Sequence, residues 1–133
     1  MSREILFRAV SKLTGNWVFG SYVKHLETIQ DEFQDFDIYI ETLGQFTGLT
    51  DKNGTRVFEG DVFEEERDEI RGVVVFENGA FKIKWYGIKT VLKEYGYDDG
   101  GWGEIETESF DMYYVDKMEV IGNIYDNPDL LEV

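Results

Sequence analysis

The stretch Arg71-Gly72-Val73-Val74-Val75-Phe76-Glu77-Asn78-Gly79-Ala80-Phe81-Lys82-Ile83-Lys84-Trp85 decides the fold. Phe81 to Trp85 alternates apolar and polar residues without exception, the pattern of a strand with one buried face. The run Arg71–Glu77 precedes it. Between them stands Asn78-Gly79, the pair that best tolerates the positive φ angles of a two-residue hairpin turn. These fifteen residues therefore read as an antiparallel hairpin.

The same logic extends in both directions. Gln45–Thr50 leads through Asp51-Lys52-Asn53-Gly54 into Thr55–Phe58, a second hairpin. Leu13-Thr14-Gly15-Asn16 separates Ile5–Val10 from Trp17–Tyr22, a third. Gly60-Asp61 opens a strand at Val62, and Val120–Tyr125 reads as another. Asn127 is placed to cap a short helical turn with Pro128 at its first position, where the missing N–H does no harm. Lys89–Tyr95 fits a short helix or a strand equally. The expected fold is mainly β: a small, curved, barrel-like (SH3-like) antiparallel structure, centred on the middle of the chain, with at most short helical segments. With 133 residues and neither linker nor repeat, residues 1–133 are expected to form a single domain.

Composition excludes several functions. The formal charge is −15, which disfavours binding to a phosphate backbone, since such binding needs cationic side chains to displace counterions. It disfavours an anionic membrane surface for the same reason. There is no cysteine and only one histidine, His25. Disulfides, thiolate zinc sites, cysteine nucleophiles and two-histidine metal sites are thereby removed. No Gly-x-Ser-x-Gly elbow or phosphate-binding loop is present. Met1–Arg8 carries charges where an export signal needs an apolar run, so a cytoplasmic location is expected.

The remaining candidates each have a plain structural reading. Asp51-Lys52-Asn53-Gly54 resembles a calcium loop only superficially, because its glycine falls at position four and not six; the hairpin turn explains it better. Glu59-Gly60-Asp61 brings two carboxylates close in sequence, but a turn before a strand needs no more than that. Phe81–Trp85 with Lys82, Lys84 and Lys89 has the flavour of a base-stacking surface, set in an acidic chain. Glu64–Glu69 is a solvated acidic run, with Arg67 inside it and Arg71 beyond. The richest stretch is Tyr95–Gly103, where Tyr95, Tyr97 and Trp102 alternate with glycines and with Asp98 and Asp99. It is read as a loop, with its aromatics either folded back on the protein or docked on a partner, where Trp and Tyr dominate binding energy. Tyr95, Tyr97, Asp98, Asp99 and Trp102 are the candidate partner-contact residues.

Several blocks together resemble the YopX family. They are Phe7-Arg8-Ala9, Gly44–Gly54, Phe58-Glu59-Gly60-Asp61-Val62, Val75–Phe81 with Trp85, and Glu119–Leu131 containing Val120-Ile121-Gly122-Asn123-Ile124-Tyr125. Val10 departs from the usual Trp, and Asp98–Glu108 is an individual elaboration. The resemblance implies a small, mainly β protein of bacteriophages and prophages, in the bacterial cytoplasm, that self-associates. It implies no enzyme activity and no cofactor, and it carries over no catalytic residue.

The leading expectation is a non-enzymatic accessory protein that acts through protein contacts, as a homo-oligomer and with a protein partner. An alternative is an acidic DNA mimic that occupies a host nucleic-acid-binding protein. A further alternative is a hydrolase using clustered carboxylates or a hard cation. The charge is unevenly spread: residues 1–30 carry +2, residues 31–93 carry −6 and residues 94–133 carry −11.

Overall fold

The structure, a computed structural model, describes residues 5–65, 69–93, 96–105 and 112–131, with side chains described except at 88–93 and 96–100. It is mainly β. Ten strands run in chain order: β1 Phe7–Ser11, β2 Trp17–Val23, β3 Thr28–Gln30, β4 Asp35–Thr50, β5 Arg56–Phe58, β6 Asp61–Glu65, β7 Ile70–Glu77, β8 Ala80–Lys93, β9 Gly96–Ile105 and β10 Val120–Asn123. Two 3-10 segments, Met112–Lys117 and Pro128–Leu131, complete the described elements.

Contacts divide the chain into two compact units. The first holds residues 1–49 and 56–59, the second 50–55 and 60–133. In the first, the strands lie in the order β1-β2-β3-β4-β5, and β1 also pairs with β4. That extra pairing partly closes the sheet into a ring. The closure lies in the N-terminal strands, whereas the sequence pattern placed a barrel in the middle of the chain. The middle strands instead form an open antiparallel sheet in the second unit, ordered β10-β6-β7-β8-β9.

A bend in β4 makes the closure possible. Arg8 pairs with Gly44 and Val10 with Tyr39, so Ala9 alone stands opposite the four residues from Ile40 to Leu43. Such a bulge interrupts the ladder and bends the strand. Thr42 repairs the interruption: its hydroxyl accepts the Val10 N–H at 2.8 Å and donates to the Tyr39 carbonyl at 2.6 Å. Ala9, Ile29 and Ile38 fill the ring, with Phe7, Val18, Tyr22, Phe36 and Leu43 packed around them. Beside that core, the Arg8 guanidinium lies over the rings of Trp17 and Phe58, 4.7 and 4.8 Å from their centroids. Stacking of this kind lets a buried cation coexist with apolar neighbours.

In the second unit the hairpin that opened the sequence reading forms as expected. Glu77 pairs with Ala80, and Asn78 and Gly79 both take positive φ, 52° and 80°. Gly72 has a different reason to be glycine. A Cβ there would lie 2.4 Å from Ile83 Cγ2 and 2.9 Å from Trp85 Cε3, so its bare backbone makes room for the buried indole of Trp85. The Lys89–Tyr95 ambiguity resolves toward strand as far as Lys93, where β8 ends. Near the C-terminus, Pro128 does open a helical turn, but the Asn127 side chain does not serve as its cap: Asn127 Oδ1 turns back to accept the Asn123 N–H at 3.4 Å.

Candidate protein-contact site

Two turns at one end of the ring project large apolar side chains into water. Leu13 is 93% exposed and Phe33 is 88% exposed. Leu13 sits in the β1–β2 turn and Phe33 between β3 and β4. The Lys12 N–H donates to the Asp37 carbonyl at 2.9 Å, and Ser11 pairs with Ile38. The two turns therefore lie side by side.

Local chemistry holds each tip in place. In the first turn, the buried Ser11 hydroxyl accepts the N–H groups of Leu13 and Thr14 at 3.3 and 3.4 Å. Gly15 N–H donates to the Ser11 carbonyl at 2.9 Å. In the second, Asp31 Oδ1 accepts the N–H groups of Phe33 and Gln34 at 2.8 and 2.9 Å, while Asp31 N–H donates to the Gln34 carbonyl. Ser and Asp side chains bonded this way stabilise tight turns. The apolar side chains are thus presented from fixed backbone, which lowers the ordering cost of binding.

Beside these turns lies a surface cleft of about 430 Å³ lined by Ser11, Lys12, Leu13, Thr14, Gln34, Asp35, Phe36 and Asp37; Phe33 stands one residue before the lining residue Gln34 and outside the lining itself. Asp35 and Asp37 are exposed at its edge, as are Asp31 and Glu32 in the turn beside it. Lys12 is the one cation of the lining, and its ammonium lies 6.0 Å from the Tyr39 ring centroid. Leu13 and Phe36 make the cleft partly apolar, and Asp35 and Asp37 make it acidic.

The residues chosen from the sequence do not line this cleft. Tyr95 lies outside the described residues. Tyr97, Asp98 and Asp99 belong to β9, a strand and not a loop, opposite Leu92, Val91 and Thr90 of β8; their side chains are outside the description. Trp102, in the same strand, is half-buried, and its indole N–H donates to the Leu131 carbonyl at 2.7 Å. Arg71 reaches the neighbouring Leu130 carbonyl at 2.9 Å. Trp102 thereby holds the C-terminal segment of its own chain.

Other sequence candidates have structural roles. Lys82 and Lys84 both pair with Glu77, at 2.8 and 2.9 Å, Trp85 is buried, and the Lys89 side chain lies outside the description. Asp51 is a turn residue: Oδ1 accepts the N–H groups of Asn53 and Thr55, each at 2.9 Å, and Oδ2 accepts the Val120 N–H at 3.0 Å. Burial alone would raise its pKa and is the largest single influence. The three N–H donors, with the Lys52 charge, outweigh it and hold the carboxyl below the ordinary aspartate value. Glu59 moves the other way. Burial raises its pKa, and the Gln45 N–H offsets only part of that. Among the described residues, no three carboxylate or imidazole side chains converge in a way that would hold a metal ion. No helix among them is long and apolar enough to cross a membrane.

Sequence reasoning missed Leu13 and Phe33, although each carries a signal. Phe33 is a solitary aromatic in Asp31-Glu32-Phe33-Gln34-Asp35, and Leu13 a solitary apolar residue in a polar turn. Neither side chain belongs to an alternating pattern that would bury it.

The fold and this site define a small all-β protein that presents a partly apolar, acidic cleft beside paired hairpin turns. The chain belongs to the YopX family: the family described as YopX protein matches residues 6–132. No curated protein matches the sequence. Among solved structures, it is similar to the crystal structure of protein EF1440 from Enterococcus faecalis, at 22% identity over 98% of this chain and 100% of that one, with a TM-score of 0.44.

Proposed function

We propose that this protein is a non-enzymatic phage or prophage accessory protein that works through protein contacts, in the setting that YopX membership suggests. One observation carries the reading: Leu13, which lines the cleft, and Phe33, in the adjoining turn, stand exposed on neighbouring turns held by side-chain hydrogen bonds. Large apolar side chains grouped beside a cleft, unlike ones scattered singly, mark surfaces that a partner covers. Photo-crosslinking in the native host tests it. A benzophenone amino acid at position 13 or 33 should give discrete protein adducts that the same group at exposed Lys24 does not give; no adduct at either tip overturns the reading. Self-association belongs to the same proposal. Light scattering should return a multiple of the 15.5 kDa chain mass, and a monomer at high concentration removes that part.

A further inference from the structure

The chemistry of the cleft narrows what fills it. Its apolar lining is Leu13 and Phe36, and exposed Phe33 stands in the adjoining turn. Asp35 and Asp37 line it with a single lysine, Lys12, and Asp31 and Glu32 are exposed in that same adjoining turn. A second copy docked through the same face would set these four acids against their own counterparts, and like charges facing each other across an interface oppose assembly. Phosphate backbones and anionic lipid headgroups meet the same repulsion.

We infer that the cleft binds a segment of a partner protein in which a bulky apolar side chain is flanked by lysines or arginines. This rests on the protein-contact reading above and adds the partner's chemistry to it. The apolar residue enters the cleft against Leu13 and Phe36 and extends toward Phe33 of the adjoining turn. The flanking cations meet Asp35 and Asp37 of the lining and Asp31 and Glu32 of that turn. Rim pairs of this kind, left partly in water, contribute more to encounter rate and discrimination than to affinity. Self-association, where it occurs, uses a different surface.

The test uses the full chain as bait for random short peptides displayed on yeast. A synthetic, fluorescein-labelled copy of the best binder is then titrated by anisotropy. The enriched peptides are expected to share one aromatic or large aliphatic residue with lysine or arginine close on either side. Leu13→Ser/Phe33→Ser should weaken binding about tenfold or more, as loss of buried anchors does. Asp35→Asn/Asp37→Asn should weaken it several-fold at low salt and make little difference at high salt, where exposed charges are screened. All four positions are exposed, and an unchanged circular dichroism spectrum establishes that the variants fold. Enriched peptides without basic residues, or binding that ignores the aspartate changes at low salt, overturn the basic partner. If such peptides still depend on Leu13 and Phe33, the protein-contact reading stands without it. Failure to enrich any peptide overturns the inference, and joined to an absence of photo-adducts it overturns both.

Discussion

Asp51 and Glu59 carry carboxyls whose acidities are displaced in opposite directions, and their contributions to stability run oppositely with pH. The folded-state pKa of Asp51 lies below the ordinary 3.8. Its contribution is therefore complete above that value and is lost as pH falls through the lower folded-state value. Asp51→Ala strips three backbone N–H groups of their acceptor and should cost about 3 kcal/mol near neutrality by urea denaturation. That cost should shrink in strong acid. Glu59 has a folded pKa above the ordinary 4.5, so the folded state holds its proton longer and stability drains away as pH rises from 4.5 through the raised value. Glu59→Gln should melt higher than the parent at pH 7 and alike at pH 4. A variant no more stable at pH 7 would show that the Glu59 carboxylate is well solvated after all.

At the scale of the element, what the sequence discloses depends on how local the determinant is. The Asn78-Gly79 turn, the Asp51–Gly54 turn and the alternation of Phe81–Trp85 are written in adjacent residues, so the β class and three hairpins could be read directly. The bend in β4 could not. Thr42 looks like any strand threonine until Val10, 32 residues away, is brought to its hydroxyl. Ring closure through β1 and β4 hides for the same reason, as does the bare backbone of Gly72 beneath Trp85. The candidate contact site was obscured differently. Aromatic density drew attention to Tyr95–Gly103, yet the folded chain uses Trp102 to hold its own C-terminal segment, while the solitary Leu13 and Phe33 remain in water. Two substitutions check these assignments. Thr42→Val keeps the shape but leaves Val10 N–H and Tyr39 C=O without their bridge, and should cost about 1–3 kcal/mol in urea. Gly72→Ala should cost a similar 1–3 kcal/mol through overpacking against Ile83 and Trp85, with a shift in tryptophan emission.

For the whole molecule, the charge of −15 acts against its own folding, since dense like charge favours expansion. The ion pairs Arg71–Glu64 and Lys82–Glu77–Lys84 are too exposed to offset much of it. Raising salt should therefore raise Tm, by roughly a few degrees between low and physiological ionic strength; a flat or falling Tm would mean that paired charges contribute more than repulsion does. The division into two units has a temporal consequence as well. The first unit takes residues 1–49 and then 56–59, with residues 50–55 given to the second. A chain leaving the ribosome cannot finish its first unit until Glu59 has emerged. The carboxylate of Asp51, made early, waits a further 69 residues for the amide of Val120. That clasp can close only once Val120 has been made, so a chain cut short anywhere before Val120 lacks the latch of its second unit and should be digested faster than the parent.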